Sequence, residues 1–313
     1  MENTFNIIIT VFAVIGFGFF LSRKGIIDEK IASFITNLVV TYVVPCTLIN
    51  NMLTYFTMDS LKDAGFALLA PFLSILATFG IAHLLIPIFK IPKGQRGVFA
   101  ALFGFSNTIF VGLPVCIAIF GDAAAPLALL FFAANSVLFW VVAAPGIQRD
   151  APGDHNSDWK ETLWKIMTPS LITLLVCFAL IFLHVTLPKF VMDTTKIIGG
   201  MSTPLALTYI GYVLASTGLQ NLKISRNVIL VCIGRFLISP IITFALMKIL
   251  HIEGLIANVS IIQSAMPAMA QVPIVAALYG SDHKFAATCT SFSILLGLLF
   301  LPVYMYLFTL LGI

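Results

Sequence analysis

The stretch Phe105–Gly121, FSNTIFVGLPVCIAIFG, decides the fold. It is apolar enough to lie in a membrane span, yet it contains Ser106, Asn107 and the helix-breaking segment Gly112-Leu113-Pro114. Because hydrocarbon offers no water to backbone groups released by a break, such groups must be buried in protein or line a wet cavity. The stretch therefore predicts a membrane helix that is interrupted for a functional reason.

The composition predicts a polytopic membrane protein. Of 313 residues, 60% are hydrophobic and 10% are charged, whereas a soluble domain carries about 25% charged residues. The net charge is +4 and the basic residues form no dense tract, so a nucleic-acid partner is not expected. The five cysteines occur singly in apolar runs without metal-ligand spacing, and neither a metal nor a cofactor is predicted.

Apolar runs long enough to cross about 30 Å of hydrocarbon occur ten times. The fold class that we predict is an all-α polytopic membrane protein with ten transmembrane helices, and the lipid bilayer is its first partner. The predicted spans are 5–22, 31–53, 65–89, 96–120, 123–145, 166–187, 196–218, 225–250, 254–279 and 285–311.

The distribution of basic residues predicts the orientation. Loops after odd-numbered spans hold twelve Lys and Arg residues, and the opposite loops hold four. By the positive-inside rule, the odd loops are cytoplasmic and both termini lie outside.

A polar segment, residues 146–165, divides the chain into five spans and five, so residues 1–145 and 166–313 are candidate repeats. An offset of 159 residues pairs Pro45 with Pro204, Pro114 with Pro273 and Gly121 with Gly280. An odd number of spans per repeat makes the second repeat enter the membrane from the opposite side. Inverted repeats with matched interrupted helices are typical of transporters, whose site lies where the interruptions meet.

The paired prolines predict the place of the interruptions. Pro114 and Pro273 lack an amide donor in mid-span, and Gly112 and Gln271, two residues earlier, are expected to be locally unwound. If both helices break and cross, their half-helix N-termini favour an anion. The alternative is an ordinary proline kink without a ligand.

These residues resemble a known family. SNTIFVGLP followed by IFGD, and SAMPAMAQVP followed by ALYG, are similar to the bacterial auxin efflux carrier family, which includes malate and malonate permease-like proteins and is related to plant PIN auxin exporters. The resemblance covers essentially the whole chain. It implies crossing helices 4 and 9, scaffold helices 1, 2, 6 and 7, and transport helices 3–5 and 8–10. It further implies elevator-like alternating access, a homodimer and a place in the bacterial inner membrane.

The resemblance also implies the site residues. Asn107, Gly112 and Pro114 match the first crossover, with Thr108 beside them, and Pro273 matches the second. The position equivalent to Asn107 is Met266, a departure from the amide, so an amide in the second half-site has to come from Gln263 or Gln271. The hinge positions that we predict are Pro45, Pro204, Gly121 and Gly280.

Arg235 is the only formal charge well inside a predicted span. Charged residues within spans usually mark a pathway or a partner, so Arg235 is a candidate for attracting the carboxylate of a substrate. The alternative is that its side chain snorkels to the cytoplasmic interface.

These features favour a secondary carrier of small organic anions, either mono- or dicarboxylates. A ligand sensor with the same fold and a Na+-coupled symporter related to bile-acid carriers are the alternatives. An enzyme is not expected, because no nucleophile–base pair or carboxylate dyad lies within the spans. The coupling ion, H+ or Na+, stays open; no carboxylate lies mid-span, and a proton relay through His83 is one option.

Overall fold

The computed structural model describes residues 2–57, 69–152, 167–216 and 224–310. The all-α prediction is confirmed for these ranges, which are mainly helical and contain no strand. Residues 153–165 of the predicted linker lie outside them. The α-helices are α1 Glu2–Arg23, α2 Glu29–Leu38, α3 Val44–Tyr55, α4 Ala70–Ile88, α5 Arg96–Gly104, α6 Leu113–Phe120, α7 Ala125–Leu138, α8 Ala144–Asp150, α9 Pro169–Phe182, α10 Lys189–Gly199, α11 Ser202–Ser216, α12 Arg226–Ile233, α13 Ser239–Ile249, α14 Leu255–Ser264, α15 Gln271–Tyr279 and α16 His283–Leu310.

Several helical stretches have the length and apolarity of membrane spans, as the composition predicts. Within the described ranges, five are long enough to cross a membrane: Glu29–Tyr55, Ala70–Ile88, Asp122–Asp150, Lys189–Ser216 and Arg226–Ile249. Shorter apolar helical segments are Ile9–Arg23, Thr108–Phe120, Pro169–Phe182 and Leu255–Ser264. The chain is therefore a multi-pass membrane protein.

A π-helical turn precedes the proline in three of the long stretches. Because proline clashes with the carbonyl four residues back and lacks an amide donor, a widened turn lets the helix continue past it. Pro145 therefore does not stop the helix that contains the predicted fifth span 123–145, and this helix continues to Asp150. The π-helical turns are Val39–Val43 before Pro45, Phe139–Ala143 before Pro145 and Gly234–Ile238 before Pro240.

The chain divides into two compact units, each made of several segments. The first unit consists of Met1–Leu68, Ile109–Leu130 and Met167–Ser216, and the second of Leu69–Thr108, Phe131–Ile166 and Thr217–Ile313.

In the first unit, glycine allows α1 and α11 to pack closely. A Cβ atom on Gly18 would overlap the backbone of Thr208, and one on Gly211 would overlap the carbonyl oxygen of Ile15. Small residues at such contacts let helix backbones approach in a membrane, where van der Waals packing is a main source of association. Elsewhere in this unit, the Thr47 hydroxyl donates to the Gly199 carbonyl at 3.0 Å.

In the second unit, α5 lies at the centre of the core. Every residue from Gly97 to Gly104 is buried. Helix α5 packs on α8, where Gly97 and Gly146 meet, and on α4, where Gly104 contacts Phe79. The Asp150 carboxylate, at the end of α8, accepts from the amides of Gly97 at 2.6 Å and Val98 at 3.1 Å. The first turn of α5 is thus capped by a carboxylate from another helix.

Candidate crossing site

Two helical interruptions meet in the second unit. Helix α5 ends at Gly104, and α14 ends at Ser264 while α15 begins only at Gln271. The two non-helical segments pair as a short antiparallel bridge between Ser106 and Ala268. The backbone amide of Asn107 donates to the Pro267 carbonyl at 2.8 Å, and the backbone amide of Met269 donates to the Phe105 carbonyl at 3.0 Å. We call residues 105–108 and 263–271 the crossing site.

The structure corrects the predicted position of the breaks. Gly112 has helical dihedral angles and Gln271 is the first residue of α15, so neither lies in an unwound segment. Pro273 instead lies in the first turn of α15, where proline is tolerated because the first amides of a helix have no intrahelical partner. Pro114 follows the π-helical turn Thr108–Gly112, which opens its half-helix and, like the other π-helical turns, lets the helix continue past the proline. The interruptions therefore lie several residues before both prolines.

Asn135 holds the first non-helical segment. Its side chain is fully buried, accepts from the Ser106 amide at 3.3 Å and donates to the Ser106 carbonyl at 3.1 Å. One amide side chain thereby satisfies both backbone groups of a residue that has left its helix. Asn135 was not predicted from the sequence, although an amide in the middle of an apolar span is a usable signal.

Ser293 has the same role for the second segment. Its hydroxyl accepts from the Ala268 amide at 3.0 Å and donates to the Thr290 carbonyl at 2.8 Å. Ser293 is fully buried, and it too was missed, because the sequence does not distinguish it from the neighbouring hydroxyl residues Thr288, Thr290 and Ser291. Each half of the crossing site is thus fixed by one buried polar side chain from a neighbouring helix.

Arg235 binds the carbonyl ends of both half-helices that lead into the crossing. Its Nη1 donates to the Phe103 carbonyl at 3.0 Å, its Nη2 to the Ser264 carbonyl at 2.5 Å, and its Nε to the Met266 carbonyl at 3.1 Å. Helix C-termini carry partial negative charge, so the guanidinium is stabilised there. Its side chain is 0% exposed, and the snorkelling alternative is therefore wrong.

The predicted polar side chains of the site are buried together. Asn107 is 6% exposed, Thr108 3% and Gln263 0%. Gln263 Nε2 donates to the Thr108 carbonyl at 3.4 Å, which links the two interrupted helices once more. Met266 is buried as well and contributes its carbonyl to Arg235. Gln271, at the start of α15, is only half-buried.

A comparison with known proteins identifies the family. The family described as membrane transport protein matches residues 4–161 and again residues 155–305. The chain belongs to this family. The prediction of an auxin efflux carrier family member is thereby confirmed, and the chain is a membrane transport protein rather than an enzyme.

Two archaeal relatives of this membrane transport protein match over nearly their whole length. An uncharacterized transporter of Methanocaldococcus jannaschii is 26% identical over 93% of this chain and 95% of its own. An uncharacterized transporter of Methanothermobacter thermautotrophicus is 22% identical over 95% and 96%. The protein ECM3 of Saccharomyces cerevisiae is 27% identical over 90 residues, which is 29% of this chain and 15% of its own.

Two glycines end the second half-helices of this membrane transport protein. Gly121 has φ +77° and ψ −177°, and Gly280 has φ +78° and ψ 21°. Side-chain-bearing residues rarely adopt positive φ, so glycine here turns the chain sharply after α6 and α15. The other two predicted hinges lie in first turns of helices: Pro45 in α3, after a π-helical turn, and Pro204 in α11, after the break at Gly200 and Met201. Movement at these four positions stays a prediction.

The described residues hold no group of three or more His, Cys, Asp or Glu side chains placed to bind a metal ion. His83, the candidate proton relay, is exposed, and its Nδ1 lies 3.0 Å from the Phe79 carbonyl in its own helix.

Proposed function

We propose that this membrane transport protein is a secondary carrier of small organic anions, with mono- or dicarboxylates as substrates bound at the crossing site. The observation that carries the proposal is the position of Arg235. Its guanidinium binds the negative ends of α5 and α14. The following half-helices begin at Thr108 and Gln271, and the partial positive charge at these N-terminal ends favours an anion.

The side chains around the crossing site fit this substrate class. Asn107, Thr108, Gln263 and Gln271 supply amide and hydroxyl donors suited to a carboxylate. Among the described residues, no buried side chain is acidic, so a cationic substrate would find no neutralising partner. Arg235 acts through its charge, since all three of its hydrogen bonds go to backbone carbonyls.

We further propose that the chain has ten spans in two inverted five-span repeats. Helix limits support this, because an offset near 159 residues relates elements of the two halves. Helix α5 thus corresponds to α14, α6 to α15, and Gly121 to Gly280. The offset also relates two positive-φ residues at helix ends, Gly25 and His184.

The transport cycle that we propose is elevator-like. The scaffold comprises spans 1, 2, 6 and 7, which lie in the first unit, and spans 3–5 and 8–10 belong to the moving part. Residues 109–130, from spans 4 and 5, fall in the first unit, and the rest of these two spans in the second. A homodimer in a bacterial inner membrane, with both termini outside, completes the proposal.

Flux in proteoliposomes tests the function. Purified protein is reconstituted, and uptake and counterflow of radiolabelled acetate, lactate, malonate, malate and succinate are compared with Asn107→Ala. The matched control is Asn37→Ala, because Asn37 is an exposed amide in α2 that accepts only from Thr41 within its own helix. Saturable flux that Asn107→Ala lowers at least tenfold, with the control unchanged, supports the carrier.

Other outcomes separate the alternatives. Saturable binding without flux would replace the carrier with a sensor. Flux that requires sodium would favour the Na+-coupled symporter, and flux that follows a pH gradient would indicate H+ coupling. Neither binding nor flux of any carboxylate in the panel would overturn the proposed substrate class.

A further inference from the structure

Among the residues that the structure describes, Arg235 is a formal charge without a carboxylate partner. Of the described residues, it is the sole charged side chain that is fully buried. Its three hydrogen-bond acceptors, at Phe103, Ser264 and Met266, are all backbone carbonyls. Carbonyl dipoles stabilise the guanidinium but cancel none of its charge, so this part of the second unit keeps a charge of +1.

The other formal charges of the described second-unit residues lie elsewhere. Lys90, Lys93, Arg96, Arg149 and Asp150 lie at helix ends and in loops. So do Arg226, Lys248, Glu253, Asp282 and Lys284. Charges at helix ends lie near water, where little of the membrane field acts on them. A buried charge in mid-span experiences that field directly.

We propose that Arg235 is a resident countercharge: the empty carrier moves it through the membrane field, and binding of a monocarboxylate makes the moving unit electrically neutral. This inference rests on the proposed function and narrows its substrate class from mono- or dicarboxylates to monocarboxylates. A neutral complex crosses hydrocarbon at a lower electrostatic cost than a complex with a net charge. Membrane voltage then acts on the return of the empty carrier and not on the loaded step.

Charge movement without substrate tests the inference directly. Voltage steps are applied to membranes that contain the purified protein in carboxylate-free solution, and the transient charge displacement is recorded. One elementary charge that crosses the full field corresponds to about 2.3 kcal/mol per 100 mV, or about a 50-fold shift between the two orientations. We expect a saturating displacement in the wild type with an apparent valence of up to about one.

Three variants show whether Arg235 is the moving charge. Arg235→Lys keeps the charge and should keep the displacement, whereas Arg235→Gln should abolish it. Because Arg235→Gln leaves carbonyls without donors and is at risk of misfolding, Tyr304→Glu is the second test. Tyr304 lies near Arg235, because its hydroxyl donates to the carbonyl of Phe236, the next residue in the chain. A carboxylate there should cancel the displacement while Arg235 keeps its three hydrogen bonds.

The possible results separate this inference from the proposed function. Carboxylate flux in a wild type without charge displacement would overturn the inference and leave the carrier intact. Displacement that persists at the same valence in folded Arg235→Gln or Tyr304→Glu would also overturn it. Displacement without flux of any carboxylate would overturn the proposed substrate class but keep Arg235 as the moving charge. Displacement that is suppressed by a transported monocarboxylate supports both.

Discussion

Asn135 shows how a single side chain makes a broken helix possible. It donates to and accepts from the backbone of Ser106, in a region where neither group has water available. We predict that Asn135→Ala lowers the free energy of unfolding by about 2–4 kcal/mol, because two buried backbone groups lose their partner at about 1–3 kcal/mol each. Thermal unfolding in detergent, followed by size-exclusion chromatography, measures this loss.

The control for Asn135 is again Asn37→Ala, which removes an exposed amide that bonds only within its own helix. Its effect should stay below about 0.5 kcal/mol, as for most surface substitutions. Equal losses in the two variants would mean that the contact to Ser106 does not stabilise the crossing.

Gly121 and Gly280 are predicted to respond differently to the same substitution. Neither Cβ atom would meet another atom within 4 Å, so the cost of Gly→Ala is conformational alone. Gly280 has left-handed helical angles, which cost an alanine about 1–2 kcal/mol and which asparagine tolerates. Gly121 lies in a region that is essentially restricted to glycine, so both Gly121→Ala and Gly121→Asn should cost about 1–3 kcal/mol.

The measurement for the two glycines is the melting temperature of each purified variant. Gly16→Ala is the control, because Gly16 lies within α1 and its Cβ would also meet nothing. It should be neutral or stabilising, since alanine favours helix over glycine. If Gly280→Asn proves as costly as Gly121→Asn, the difference in backbone angles does not govern these turns.

For single residues, the sequence was more informative about the backbone angles that a position requires than about its hydrogen-bond partners. The two paired glycines were predictable because positive φ restricts residue type. Asn135 and Ser293 were not predicted, since a polar residue in a span reveals that it needs a partner but not which one. Arg235 was predicted as significant, but only the structure shows that its hydrogen-bond partners are carbonyls.

Helix contacts can be tested where α5 meets α8. A Cβ on Gly97 would overlap the backbone of Gly146, whereas a Cβ on Gly146 would meet the Gly97 Cα at an ordinary 3.6 Å. We predict that Gly97→Ala destabilises the protein by about 1–3 kcal/mol or more, because rigid backbone has to move. Gly146→Ala should be close to neutral and is the matched control in the same thermal assay. Similar losses in both variants would contradict this packing.

At the level of elements, the sequence predicted that interruptions exist but misplaced them. The paired prolines indicated broken helices, and Gly112 and Gln271 were expected to be unwound. The structure has the breaks at 105–107 and 265–270. Proline is compatible with the first turn of a helix, as at Pro273, and with the turn that follows a π-helical turn, as at Pro114, so neither proline marks the break itself. The π-helical turns before Pro45, Pro145 and Pro240 were not predictable from apolar periodicity, which does not distinguish a widened turn from a regular one.

The whole chain combines a low charge content with one deeply buried cation. The loop lysines and arginines predict the orientation of the chain, and Arg235 binds carbonyls at the ends of two half-helices. Only the first of these roles follows from counting residues. The second depends on which carbonyls lie together, and that requires the crossing of helices far apart in sequence.

The proposed inversion of the two repeats makes a prediction about labelling from the two sides of the membrane. The turns after α6 and α15 correspond by the offset of 159 residues, yet the proposed orientation would place Asp122 outside and Lys284 in the cytoplasm. Both side chains are exposed. A membrane-impermeant maleimide should therefore label Asp122→Cys in intact cells and Lys284→Cys only after permeabilisation.

The native cysteines should add little labelling of their own, because Cys116, Cys177, Cys232 and Cys289 are buried and the half-buried Cys46 can be replaced by serine. Labelling of both positions from the same side would show parallel repeats, and the half-helices could not then cross with opposed directions.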